Sequence, residues 1–280
     1  MAYAGVTTTR DEAPYIVTGA LTGRNNKGLA FSVALAPGQI AFGEIPLVVD
    51  ASHTLSEEEH KERHNSRSAW GIAEECLKRL SPQQIQNLLA ADYATGILDG
   101  RWESPGDDRA LAYLATRYAV DPGTTRRLYD LMATNCVAAD TGLKPVPLPG
   151  GGRVHVMVPL YGFFALLSRA NHSCCPSATL TPPKSTPRGP LRSVITTRRV
   201  EAGEALTIDY LHTEPLATKR LALWAQFGFT CACERCETLC SLLSCSAKGD
   251  KSCSVCHKAR YCGREHQVAD WPRHKGVCSN

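Results

Sequence analysis

Residues 171–177 read NHSCCPS, with Cys174 and Cys175 side by side behind a polar triplet and ahead of a proline. Their partner lies far down the chain. CACERC, residues 231–236, offers Cys231, Cys233 and Cys236, three thiols where a closed structural zinc site takes four. The cysteines that follow belong to a separate set. The fourth ligand therefore has to come from a distance, and the best upstream source is NHSCCPS.

That separate set occupies residues 240–278. Cys240 and Cys245, Cys253 and Cys256, Cys262 and His266, and His274 and Cys278 form four short pairs. Eight soft ligands in four pairs make two tetrahedral sites. Asp270 is expected to cap the last helix, with Pro272 in its first turn.

The whole chain has 280 residues and 13 cysteines, nine of them from Cys231 onward. In a reducing compartment disulfides explain so many poorly. Charged or polar residues break every apolar run short of about 18 residues. Met1 to Asp11 has no stretch of signal-peptide type. The expectation is an intracellular protein of the nucleus or cytoplasm, monomeric, with no membrane partner. The formal charge is +4. Ten zinc-bound thiolates against three Zn²⁺ leave minus four, which cancels it. Nucleic acid is therefore not an expected partner.

Hydrophobic periodicity supplies the outline. Residues 29–49 hold two β-like runs, with Ala36-Pro37-Gly38 as the turn of an expected hairpin. Residues 55–131 read as helices, one of them restarting with Ser81 as cap and Pro82 in the first position. Strands are expected at 154–158, 191–200 and 204–210, and a helix at about 213–226.

NHSCCPS, RRVEAGEALTIDY (198–210) and FGFTCACERC (227–236) together resemble the SET-domain signature with its post-SET zinc motif, and residues 240–278 resemble a MYND finger. The resemblance covers nearly all of residues 14–280. It implies an α+β chain with a mainly β SET fold in two parts (14–50 and 150–230). A helical insert (51–149), a post-SET zinc motif (231–239) and a C-terminal MYND-type zinc finger (240–278) complete it. The implied activity is protein-lysine methylation with S-adenosylmethionine, on a histone or non-histone lysine-containing substrate. The rival implication is a catalytically weak adaptor that binds proline-containing peptides through the finger, and methylation of a small molecule or a non-lysine side chain stays open.

By the same resemblance, Cys174 completes the post-SET site and Cys175 is a bystander. Cys240, Cys245, Cys262 and His266 hold one finger ion; Cys253, Cys256, His274 and Cys278 hold the other. His257 is a surface residue. GRNNKGLAF (23–31) resembles the loop that cradles the methionine end of the cofactor, which points to Asn26, Lys27 and Gly28. Asn135, Asn171 and His172 are implied cofactor contacts, Phe229 an aromatic wall for adenine, and Tyr210 the catalytic tyrosine. Three departures stand out. Phe227 replaces a family tyrosine, Ser177 replaces an asparagine and is expected to weaken a turn, and the finger follows the SET region instead of interrupting it. Only Glu237 to Leu239 separate the last two zinc motifs, so the Cα atoms of Cys236 and Cys240 lie at most about 14 Å apart. The finger is expected to sit fixed beside the SET site.

Overall fold

A computed structural model describes residues 15–18, 28–50, 68–90, 108–147, 151–212 and 214–278. Asn26, Lys27 and the helix start expected at residue 55 lie outside the described residues.

Two strands from opposite ends of the SET-like region meet first. β1 (Tyr15–Thr18) pairs with β2 (Gly28–Phe31), which pairs in turn with the strand Ala205–Ile208. That strand also takes Asn171–His172 as a parallel neighbour, Thr207 opposite Asn171 and Ile208 opposite His172. The second sheet has Ile40–Glu44 and Ala178–Leu180 on either side of Gly189–Thr196. The hairpin expected across Ala36-Pro37-Gly38 is therefore not formed. The two runs join different sheets, because the turn closes on Thr196: Gly38, at φ 78°, donates its N–H to the Thr196 carbonyl at 2.8 Å. Leu29, Phe31, Phe42, Phe164, Leu206 and Ile208 form the apolar core of this region.

The helical layer comprises α1 (Ser68–Arg79), α2 (Pro82–Ala90), α3 (Asp108–Tyr118) and α4 (Pro122–Asn135). Its starts follow local chemistry. Ser81 accepts from the Gln84 N–H while the Gln84 side chain accepts from the Ser81 N–H, a reciprocal capping box. Asp121 accepts from the Thr124 N–H ahead of Pro122. Trp70, Ile72, Leu114, Leu128 and Met132 bury the facing stripes. After Asn135 the chain turns at once into a long strand, Cys136–Pro147, antiparallel to Arg153–Phe163. Residues 136–147, which fall within the expected helical insert 51–149, are thus one arm of a β-hairpin.

The C-terminal part begins with α5 (Leu216–Phe227) and a short turn of helix, α6 (Glu234–Glu237). A two-stranded ribbon pairs Lys251–Ser252 with Arg260–Tyr261, and α7 (Arg264–His274) closes the chain. Asp270 does not cap α7. The helix starts six residues earlier with Gly263 at its N-cap, and Pro272 lies inside it. The Asp270 carboxylate is taken instead by the Tyr261 hydroxyl at 2.9 Å and the Arg273 guanidinium.

Candidate active site and metal centres

Three sets of four ligands come together. Cys174 meets Cys231, Cys233 and Cys236; Cys240 and Cys245 meet Cys262 and His266; Cys253 and Cys256 meet His274 and Cys278. Within each set every ligand atom lies within 4.8 Å of the others. A tetrahedral Zn²⁺ with bonds of about 2.3 Å to sulfur and 2.05 Å to nitrogen needs S–S edges near 3.8 Å and S–N edges near 3.5 Å. The Cys174 Sγ stands 3.9 Å from Cys231 and 3.6 Å from Cys236. Cys245 and Cys262 are 3.9 Å apart, Cys253 and Cys278 3.8 Å, and Cys256 and the His274 Nε2 3.5 Å. The donor sets fit three zinc ions. The long spacing from Cys240 to Cys245 does not keep Cys245 out of its set.

Local backbone explains the finger knuckle. His257 takes a left-handed conformation, φ 55°, and its N–H returns to the Cys253 carbonyl at 3.0 Å. That tight turn presents both thiols of Cys253 and Cys256 to one side. His257 itself is exposed and stands outside both sets. Cys175 is exposed as well, and its thiol belongs to no set.

The strand pairing builds a second site beside the first metal centre. Parallel pairing with Ala205–Ile208 carries Asn171 and His172 next to the residues that follow, Asp209 and Tyr210. The Tyr210 hydroxyl donates to the Ala170 carbonyl at 2.7 Å, which fixes the ring. Burial pushes its phenol up, so it stays protonated at neutral pH and works as a donor, not a base. Phe227 ends α5. Gly228 follows in the left-handed region at φ 72°, where a Cβ is disfavoured. This reversal brings Phe227 and Phe229 to the same ring: Phe227 lies 5.1 Å and Phe229 6.4 Å from Tyr210, centroid to centroid. Phe229 is also 6.0 Å from His172. Two residues after Phe229 the chain delivers Cys231 to the first metal set.

The remaining expected contacts are placed as follows. Gly28 opens β2, whose Ala30 and Leu29 pair with Ala205 and Leu206. Asn135 ends α4, where its side-chain amide donates to the Leu131 carbonyl and the Thr134 hydroxyl while its backbone carbonyl accepts from the Ser168 hydroxyl. Both ring nitrogens of His172 face protein groups, so a cofactor contact by this residue falls to its backbone. Ser177, expected to weaken its turn, is fully buried and exchanges hydrogen bonds with Ala205, Thr207 and Thr197.

Sequence reading missed three supports of this site. Glu44 accepts from the backbone N–H groups of Leu166 and Leu167 at 2.9 and 2.8 Å, pinning the turn that leads to Asn171. Lys219 pairs with Asp209. Arg220, also on α5, donates to the carbonyls of Cys240, Cys245 and Leu242. Each partner lies at least ten residues away in sequence, so no local pattern marks them.

The MYND finger family model matches residues 233–278. Histone-lysine N-methyltransferase ATXR2 of Arabidopsis thaliana is 39% identical over 74 residues, 26% of this chain and 15% of that protein. Histone-lysine N-methyltransferase SET5 of Meyerozyma guilliermondii is 35% identical over 75 residues, again 26% and 15%. The aligned stretch is thus about 15% of the length of either relative. Among solved structures, the SET domain of LSMT bound to lysine and AdoHcy superposes with a TM-score of 0.50 at 13% identity, over 83% of this chain and 55% of that one. The strand arrangement, the three ligand sets and the finger match therefore identify the chain as a SET-fold protein that carries a MYND finger.

Proposed function

We propose that the chain is an S-adenosylmethionine-dependent protein-lysine N-methyltransferase. The observation that carries this reading is the convergence of Asn171–His172, Tyr210, Phe227 and Phe229 on one spot, held in place by the metal set that begins two residues after Phe229. The names of the two curated relatives and the lysine and AdoHcy of the structural neighbour support it.

S-adenosylmethionine, when bound, supplies a methyl group on a sulfonium leaving group. Asn171, the His172 backbone and Gly28 would hold it, with Phe229 against the adenine; Asn26, Lys27 and Asn135 complete the expected contacts. A substrate lysine has to lose a proton, which costs about 4 kcal/mol at pH 7.4 from a pKa near 10.4. The apolar ring of Phe227, 5.1 Å from Tyr210, disfavours the ammonium form. That proton leaves to solvent before transfer, and the site's part is to present the neutral Nζ toward the methyl group that the cofactor would supply. Tyr210 orients the amine through its fixed hydroxyl; no strong base is required. Zinc held by Cys174, Cys231, Cys233 and Cys236 would be structural, because four protein ligands fill a tetrahedral ion and would close the loop that carries Phe229.

The test is methyl transfer from labelled S-adenosylmethionine to proteins of a whole-cell extract, by the zinc-loaded full chain. Tyr210→Phe is expected to lower turnover on the order of a hundredfold while calorimetry still reports cofactor binding. Unchanged transfer in that variant overturns the role of Tyr210. A second reading, an adaptor for proline-containing peptides in the nucleus or cytoplasm, is favoured by Val268 and Trp271, 65% and 47% exposed on α7 of the finger. Absence of S-adenosylmethionine binding by the zinc-loaded chain decides for it.

A further inference from the structure

His172 sits between the first metal set and the backbone of Tyr210. Its imidazole is wholly buried. The Nδ1 accepts the Tyr210 N–H at 3.2 Å, and a nitrogen that accepts carries no proton. The nearby Asp209 carboxylate, 3.8 Å from Nδ1, is already engaged: its Oδ1 accepts from the Leu211 N–H at 3.0 Å and its Oδ2 from Lys219. The ring proton therefore belongs on Nε2, and Nε2 faces the Cys174 Sγ at 3.4 Å. Cys174 is the ligand that reaches the metal set from 57 residues upstream of Cys231. A metal-bound thiolate keeps lone pairs that accept such a hydrogen bond.

We propose that His172 is a positioning residue: as the Nε2–H tautomer it donates to the Cys174 thiolate and accepts from the Tyr210 backbone, so that the post-SET metal centre and the tyrosine are held to one another through a single ring. Its consequence for turnover rests on the methyltransferase reading. The bridge itself does not, and no measurement that tests it uses methyl transfer.

Two substitutions separate the two ends of the ring. Gln places an amide N–H near the position of Nε2 and keeps the donor to sulfur. Asn places an oxygen near Nδ1 and keeps the acceptor for Tyr210. In the zinc-loaded full chain, His172→Asn and His172→Ala are expected to speed iodoacetamide alkylation of Cys174, Cys231, Cys233 and Cys236 about tenfold or more, read residue by residue in a mass spectrometer. His172→Gln is expected to leave that rate near wild type. The cysteines of residues 240–278 serve as internal controls. Amide exchange at residue 210 is expected to follow the opposite order, rising on the order of tenfold in Gln and Ala but not in Asn. Equal alkylation and equal exchange in all variants and wild type overturn the bridge. If every variant loses the fold together, nitrogen NMR of the wild-type ring decides: a proton on Nδ1 overturns the proposal, and a proton on Nε2 supports it.

Discussion

The helical layer and the finger are held together by different physics. In α1 to α4 the buried side chains are Trp70, Ile72, Leu114, Leu128 and Met132, a continuous apolar cluster. Each contributes roughly 1.5–3 kcal/mol by leaving water. In residues 240–278 the buried cluster is Cys240, Cys253, Cys256 and Tyr261. Apart from one tyrosine these are metal ligands. Val255, Val268, Trp271 and Val277 of the finger remain about half exposed or more. A segment this short cannot enclose enough apolar area to fix itself, and bound metal replaces the missing core. The contrast teaches that stability in this chain has two separate sources, which should fail under different conditions.

The largest expected effect breaks the comparison at its metal end. Structural zinc contributes about 10–16 kcal/mol to folding in small fingers at neutral pH. A strong chelator added to the full chain is expected to abolish amide protection across 231–278, while α1, α3 and α4 keep theirs. Hydrogen exchange with mass spectrometry reads both regions in one experiment. Retained protection in the finger after the metal is gone, or simultaneous melting of the helices, removes the distinction.

The SET core has its own lever, which is pH. Burial of Glu44 pushes its carboxyl up to about 7, against the lowering effect of the Leu166, Leu167 and Ala165 backbone N–H groups. An acid that is harder to ionise in the folded state stabilises the fold fully below its unfolded pKa, and that contribution is lost as pH rises toward the folded value. Between about pH 4.5 and pH 7, stability is therefore expected to fall with rising pH, by an amount on the order of 3 kcal/mol from this group. In Glu44→Gln this part of the slope disappears, although the variant starts lower because one backbone donor loses its acceptor. Denaturant unfolding at several pH values measures the slope; an unchanged slope in Glu44→Gln refutes the assignment.

The finger's ligand pairs were legible because their spacings are local and their ligand types few, while the resemblance supplied which pairs share an ion. Three thiols at 231–236 demanded a fourth and pointed to NHSCCPS; the choice of Cys174 over Cys175 came from the resemblance. Tyr210 and Phe229 came from motif resemblance, and neither motif shows the strand pairing that sets Asn171–His172 beside Tyr210 or the reversal at Gly228 that turns Phe229 toward it. Failures trace to long-range partners. The run at 29–31 and the run at 40–44 each look like a hairpin arm, yet Ala205–Leu206 and Gly189–Thr196 compete for them from over 140 residues away and win. Asp270 has the chemistry of a helix cap, but Tyr261 and Arg273 use its carboxylate inside α7. The strand 136–147 was hidden because its sequence, CVAADTGLKPVP, offers little apolar alternation.

Between the two regions stands Arg220, whose guanidinium is buried and donates to three finger carbonyls. It sits on α5 next to Lys219, so one helix grips both Asp209, which follows the strand Ala205–Ile208, and the finger. Arg220→Ala leaves those carbonyls without their donor, at about 1.5–3 kcal/mol for a charged hydrogen-bonding group. The finger is expected to keep its metal but to dock more weakly. Protease nicking within residues 237–239 should then rise roughly tenfold to a hundredfold at unchanged zinc content. Unaltered nicking shows that the short connection alone fixes the finger.

The smallest effect is expected at Cys175, and its neighbour makes it informative. Cys174 and Cys175 are adjacent in sequence, yet only Cys174 joins a ligand set; Cys175 is exposed and is anchored through its N–H to the Ser173 hydroxyl at 3.0 Å. Serine at position 175 keeps that backbone bond and changes a solvent-facing atom, so stability should move by no more than about 0.5 kcal/mol. Zinc content should stay at three ions per chain. Cys174→Ser removes a thiolate that the exposed Cys175, which belongs to no ligand set, does not replace. If metal analysis and thermal unfolding find the two serine variants alike, either both sulfurs serve the ion in turn or neither does, and the metal centre that orders Phe229 would have to be drawn from other residues.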